Sequence, residues 1–330
     1  IYGPKTEESV LEFQDYYSLT QDGLVGPKTA GVLTLNLNFH KNLWLDSEDD
    51  YYTTETEKQT VALHHISGWT TTRKEIANNN FFHGWDTDGR HVATHFSIDY
   101  FGRIYQHYPL KYWAHHLGID NYNTNLRLAK NSFGIELANE GKIRKDGHGN
   151  WKFWAGTIHR DVDPVRKRWR GGKYWANYNE AQYEALEKLL LYLNIAFDIE
   201  LEETDTHLEM DDNVIRPGFK GIFSHSNVRS DKYDLSPAFK WDNFFENLKD
   251  EQAEFATFLG EEDQEAEETE DEYSSLVDTE EKSSSDMTVK EAFKELEDMD
   301  TLEEKIQFLE GDSRVTVGDR LERLKGQREE

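Results

Sequence analysis

The chain has 330 residues, 36% hydrophobic and 13% aromatic, which is enough apolar material for a sizeable core and a length of about two domains. Its net charge of −28 argues against duplex nucleic acid as a partner, yet residues 251–330 alone carry 28 acidic and 9 basic side chains, so the acidity belongs mainly to the C-terminal part. There is no cysteine, which excludes disulfides and thiolate metal ligands, and no run of about 18 apolar residues that would span a membrane.

Residues 1–36 read as two short helices with their turns. Val10 and Phe13 supply apolar positions in the first, Asp22-Gly23 and Gly26-Pro27 mark turns, and Thr29 can open the second, which runs through Leu33. Gly3-Pro4-Lys5-Thr6 recurs as Gly26-Pro27-Lys28-Thr29, so the segment looks like two copies of one unit, too small to be stable alone. Residues 37–58, rich in Asn, Asp and Thr, read as a linker. From Gln59 onward strands and helices alternate. Residues 60–66 have the character of a buried strand, 92–98 alternate and predict a second, 103–107 a third, and 132–137 a fourth. Asn179 can cap a helix with Gln182 three residues on, and Tyr183, Leu186, Leu190, Leu193 and Ile195 follow at near-helical spacing. Interleaved strands and helices predict an α/β domain over residues 59–248.

Residues 141–173 form a basic, aromatic-rich insertion. It holds Lys142, Arg144, Lys145, Lys152, Arg160, Arg166, Lys167, Arg168 and Arg170, together with Trp151, Trp154 and Trp169. It reads either as a solvated surface loop or as a wall beside the site. The tail, 249–330, opens with the acidic run 261–272, which is expected to be disordered. From Met287 it turns helical, with Thr288 and Glu291 forming a capping box and sparse apolar positions at Phe293, Leu296, Ile306, Phe308 and Leu309. This part is a small helical hairpin or a segment that docks on a protein partner, and no chemistry is visible in it.

Thirteen histidines need weighing. A lone His is more often a structural hydrogen-bonder than a ligand. His64 closes the first strand, His225 sits within residues 221–228, and Asp234 follows nine residues later. Two imidazoles and a carboxylate, with a fourth position open to water, make a catalytic zinc arrangement. These residues are far apart along the chain, so spacing alone selects them weakly.

Two resemblances add to this reading. Phe13-Gln14 followed by Asp22-Gly23-Leu24-Val25-Gly26-Pro27-Lys28-Thr29 resembles the peptidoglycan-binding domain 1 family, a three-helix module. Its first helix is missing here, which implies a truncated N-terminus. Residues 59–245 resemble the type 2 N-acetylmuramoyl-L-alanine amidase family, which includes the peptidoglycan recognition proteins. The matching stretches are His64-His65-Ile66-Ser67-Gly68, Ala93-Thr94-His95-Phe96-Ser97-Ile98, Ala114-His115-His116-Leu117-Gly118, Ser132-Phe133-Gly134-Ile135-Glu136-Leu137, His225 to Val228, and Lys232-Tyr233-Asp234. Leu235-Ser236 replaces the family's Pro-Gly, and Thr94 stands where some relatives place a catalytic Tyr.

The resemblance implies a central mixed β-sheet flanked by helices and a Zn2+ cofactor on His64, His225 and Asp234. It implies Glu136 as general base and acid, Lys232 as stabiliser of the oxyanion, and His116, Trp113 and Arg90 as substrate-binding residues. His65 and His95 read as structural, and His83, His91 and His115 as groove rim or surface. The implied substrate is peptidoglycan, cut between the lactyl group of N-acetylmuramic acid and L-alanine, at the cell envelope or outside the cell. The basic insertion would then wall the substrate groove or contact anionic wall polymers. The alternative is a peptidoglycan receptor that binds without cutting. Such relatives typically have the third ligand position replaced, whereas an Asp stands there in this chain.

Overall fold

The computed structural model describes residues 3–45, 49–68, 90–158 and 162–268. The chain divides into two compact units, 1–264 and 265–330, and all described residues except 265–268 belong to the first. The helical segment expected from Met287 lies outside the described residues, as does the end of the acidic run.

Each Gly-Pro-Lys-Thr copy starts a helix. Helices α1 (Pro4–Tyr16) and α2 (Pro27–Thr34) have Gly at the N-cap and Pro in the first turn. There the missing N–H would have had no partner, and the ring pre-sets φ. The second helix thus begins at Pro27, two residues before the expected Thr29. Gln14, buried between the helices, explains the Phe-Gln and Asp-Gly signature. Its Oε1 accepts from the Gly23 N–H at 2.9 Å, and its Nε2 donates to Asp22 Oδ1 at 2.7 Å and Leu24 O at 2.9 Å. Tyr17, Leu19, Val32, Leu35 and Leu37 share one apolar core with the rest of the unit, and the Tyr192 hydroxyl donates to Tyr17 O at 2.7 Å. A piece too small to fold alone is therefore stabilised by burial against its neighbour. The stretch read as a linker supplies β1 (Phe39–His40).

Strands β2 (Thr60–His65), β3 (Phe96–Ile98) and β4 (Ile104–Gln106), helix α3 (Tyr122–Asn131) and strand β5 (Ser132–Leu137) follow. Every residue of β2 and β5 is buried, the pattern of strands covered on both faces. The second expected strand is shorter than its alternation suggests, because Val92 makes only an isolated bridge to His115.

The basic insertion is not a loop. It forms β6 (Lys142–Lys145), β7 (Trp151–Phe153), β8 (Gly156–Thr157), β9 (Val165–Trp169) and β10 (Gly172–Trp175), an antiparallel sheet in the order β8-β7-β6-β10-β9. Ile143, Phe153, Ile158 and Ala176 give it a small core, while the fully buried Trp175 joins it to the main one.

Helix α4 (Glu180–Phe197) starts at the expected Asn179, whose side chain and Gln182 form a capping box. It buries Leu186, Leu189, Leu190 and Leu193. The unit closes with α5 (Asp212–Ile215), β11 (Gly221–Ser224), α6 (His225–Val228) and α7 (Trp241–Glu268). Helix α7 runs into the acidic stretch that composition marked as disordered, since Glu, Gln and Ala are good helix formers whatever their net charge. The central sheet has the order β1-β4-β3-β5-β2-β11, parallel except between β3 and β4. It is a mixed sheet with helices around it, as expected.

Candidate active site

Strand register assembles the site. Residues opposite one another in a ladder point to the same face. His64 of β2 lies opposite Glu136 of β5, and Leu63 lies opposite Ser224 of β11. His225, the next residue, is therefore level with His64, at the point where β11 turns into α6. Glu136, His64 and His225 form a row at the C-terminal ends of three adjacent parallel strands, where open α/β sheets bind ligands. The loop after α6 returns Asp234, whose carbonyl accepts from the Ser226 N–H at 2.9 Å. Arg170, in the β9–β10 turn, fixes that loop. Its guanidinium donates to Ser226 O at 3.1 Å, to Arg229 O at 2.7 Å and to Lys232 O.

His64 Nδ1, His225 Nδ1 and Asp234 Oδ2 converge. The two nitrogens are 3.0 Å apart, and the carboxylate oxygen is 3.4 Å from His64 and 3.0 Å from His225. Hydrogen bonds fix which nitrogen carries each proton. His225 Nε2 stands 2.7 Å from Leu117 O, which can only accept, so Nε2 is protonated and Nδ1 presents a lone pair. The Ser132 hydroxyl donates to Leu128 O, so Ser132 Oγ accepts from His116 Nε2 at 3.3 Å. His116 Nδ1 then accepts from His64 Nε2 at 3.0 Å, which leaves His64 Nδ1 as a lone pair too. Three acceptor atoms within 4.8 Å of one another repel unless a cation lies among them. Two imidazole nitrogens and one carboxylate oxygen suit Zn2+, so the residues present fit the expected metal.

These groups open onto a cavity of about 870 Å3, which Glu136, His116 and Lys232 also line. Glu136 is 8% exposed, and its Oε2 has no hydrogen-bond partner among the described residues. Burial pushes its carboxyl well above the usual carboxylate range; Asp234 adds to this, and Lys232 opposes it. Burial would raise Asp234 as well, but the imidazoles of His225 and His64 beside it outweigh this and hold its carboxyl well below that range. Burial, reinforced by His225, lowers His64 to about 4, which keeps it neutral and able to ligate near neutral pH.

The remaining sequence-picked residues divide. His116 lines the cavity, yet both its ring nitrogens are engaged, by His64 and Ser132, so its polar atoms serve the metal cluster before any substrate. Gly134 makes this possible. A Cβ there would meet Thr94 Cγ2 at 2.8 Å and His116 Cγ at 3.2 Å, so only glycine lets both side chains lie over β5. Trp113 and Arg90 are not in the cavity wall. Trp113 is buried and stacks on Tyr52 at 4.1 Å, because residue 52 bridges to it, and Arg90 is exposed.

His65 lines the cavity and bonds the Tyr178 hydroxyl at 2.8 Å. His95 is buried between Tyr112 O and the Gly134 N–H, a structural role. His91 and His115 both pack around Tyr52, and His83 lies outside the described residues. Thr94 lines the cavity with its hydroxyl committed to Phe96 O at 3.0 Å. Arg170 and Ser132 were not picked from sequence. Their partners are mostly backbone carbonyls, which leave no mark in a sequence.

The sequence profile of the N-acetylmuramoyl-L-alanine amidase family matches residues 55–237, more than half of the chain. The chain belongs to that family. A peptidoglycan binding domain profile matches residues 1–33. No curated protein is similar enough to match. Solved structures that resemble the chain include a selenomethionine derivative of AmpD, with 19% identity, 64% of this chain and 99% of that chain covered, and a TM-score of 0.35. A mutant endolysin from Bacillus subtilis has 17% identity, coverage of 64% and 99%, and a TM-score of 0.38. AmiD from E. coli, in complex with anhydro-N-acetylmuramic acid-L-Ala-D-gamma-Glu-L-Lys, has 20% identity, coverage of 62% and 63%, and a TM-score of 0.37. Membership makes the chain an amidase acting on cell-wall peptidoglycan, and the binding profile at its start agrees with that substrate. A wall-acting amidase works in the envelope or outside the cell. Among the described residues no helix is long and apolar enough to cross a membrane.

Proposed function

We propose that this amidase is zinc-dependent and hydrolyses the bond between the lactyl group of N-acetylmuramic acid and L-alanine. The observation that carries the reading is the convergence of His64, His225 and Asp234 beside Glu136 in one cavity. A zinc ion on those three residues would supply Lewis acidity, enough to bring the pKa of a bound water toward ~7.

Glu136 takes the proton from the attacking water and returns it to the departing amine of L-alanine. Its burial and unpartnered Oε2 suit a carboxyl that must change protonation state in each cycle. Lys232 offers its ammonium to the oxyanion that develops on the scissile carbonyl. Arg170 holds the Lys232 backbone, and the His116–Ser132 pair holds the His64 tautomer. The residues matched by the wall-binding profile raise the local concentration of substrate.

Digestion of purified sacculi followed by mass spectrometry tests the reading. The native chain with zinc frees stem peptides with a new L-alanine amino terminus, and Glu136→Ala does not. Protein that binds sacculi and frees no peptide would be a receptor, and the enzymatic reading would fall.

A further inference from the structure

We propose that the five-stranded sheet is a docking surface for a linear, phosphate-bearing polymer attached to the wall. Residues 142–175 hold ten basic and three acidic side chains in a chain of net charge −28. The strands set several of these cations in one line. Arg144 of β6 lies opposite Lys152 of β7. Tyr174 of β10 lies opposite Ile143, and the strands are antiparallel, so Lys173 lies opposite Arg144. On the other side of β10, Gly172 pairs with Trp169 and Tyr174 with Arg166. Lys173 alone therefore faces both Lys167 and Arg168, a β-bulge with two residues opposite one. Lys152, Arg144, Lys173 and the Lys167-Arg168 pair form a cross-strand row over four adjacent strands. At a strand spacing of about 4.8 Å the row reaches roughly 15 Å.

Like charges directly opposite one another destabilise a sheet. Within the row Lys152 meets a carboxylate, Asp146 at 3.5 Å, and the other four cations are exposed without an ion pair among the described residues. A polyanion would offset the repulsion that this arrangement maintains. Repeated positive charge at regular spacing suits a ligand with repeated negative charge better than it suits a single carboxylate. A phosphodiester backbone carries one permanent charge per repeat, and arginine matches it with two parallel hydrogen bonds.

The sheet also reaches the cavity. Trp154 and Ala155, in the turn between β7 and β8, line it, and Trp154 is 74% exposed with its Nε1 donating to Ser67 O. A polymer held on the row would lie beside the peptidoglycan strand entering the site. The proposal rests on the wall as the place of action but not on hydrolysis.

Pelleting the zinc-loaded full chain with sacculi, before and after hydrofluoric acid removes their phosphate polymers, tests it. Native binding is expected to fall about tenfold on stripping and to weaken steeply with salt. Arg144→Gln/Lys152→Gln/Lys167→Gln/Lys173→Gln should bind both preparations as weakly as the native chain binds stripped sacculi, and Arg144→Gln/Lys173→Gln should lie between. Equal native binding to both preparations would overturn the proposal and assign the contact to peptide carboxylates. Undiminished binding of the fourfold variant to untreated sacculi would overturn it as well. Melting temperature and peptide release from a soluble muropeptide, unchanged in both variants, separate this outcome from misfolding and from failure of the amidase reading.

Discussion

His116 Nδ1 lies 3.0 Å from His64 Nε2, and the far side of the same imidazole rests on Ser132. The chain of hydrogen bonds that runs from His64 through His116 and Ser132 to the accepting Leu128 carbonyl leaves one choice of tautomer, the one that turns a lone pair toward His225 and Asp234. Outer partners of metal ligands typically contribute 10–100-fold to affinity. His116→Ala should weaken zinc binding by about that factor in competition with a chelator. His116→Gln, whose amide oxygen can still accept from His64, should recover part of the loss. Unchanged affinity in His116→Ala would show that the ring does not set the tautomer.

Glu136 is expected to act on the proton and not on the metal. Glu136→Gln keeps its volume and removes its basicity, so kcat should fall by about 10²–10⁴-fold while zinc stoichiometry stays at the native value. The split between the two readouts is the test. Loss of zinc in parallel with activity would place Glu136 among the groups that hold the metal.

The parts of this molecule that were legible in the sequence share a physical cause. Strands β2 and β5 announce themselves because both faces are covered, so apolar residues fill much of each, Val61-Ala62-Leu63 in β2 and Phe133, Ile135 and Leu137 in β5. Helix α4 is legible from its Asn179–Gln182 cap and the spacing of its leucines. The second sheet was hidden because β9 is a run of exposed basic residues, with no alternation to betray a strand. At the site, resemblance picked out His64, His225 and Asp234, the two histidines 161 residues apart, and register explains how β2 and β11 bring those two level. Trp113 was expected among the substrate-binding residues, yet it is buried, bridged to Tyr52 and stacked on its ring. Arg170 was invisible because it recognises carbonyl groups, which every residue has.

Arg170 gives the third prediction. Its guanidinium spans the carbonyls of Ser226, Arg229 and Lys232, the span that ends two residues before Asp234. Arg170→Met keeps much of the stem and leaves those acceptors unpaired. Urea unfolding should report a loss of about 1–3 kcal/mol. Arg170→Lys should recover only a fraction, since a point charge cannot match the geometry of the planar fork. A Met variant as stable as the native chain would mean that the loop holds its shape without the clamp.

Lys58 gives the last, through pH. It is 8% exposed, and its ammonium donates to Tyr112 O at 2.9 Å and Thr56 Oγ1 at 2.5 Å, above the Phe133 ring. Burial lowers its pKa from 10.5 to about 7. Between those two values the unfolded chain holds a proton on this lysine that the folded chain has released, so stability from this group rises with pH across pH 7 to 10.5. Below about 7 both states are protonated, and the folded one bears the cost of a buried charge. Lys58→Met removes the linkage. The difference in unfolding free energy, native minus variant, should therefore climb through that window by at most about 1.4 kcal/mol per pH unit. Chemical denaturation at a series of pH values measures it, and parallel curves for the two proteins would show that Lys58 keeps its proton in the fold.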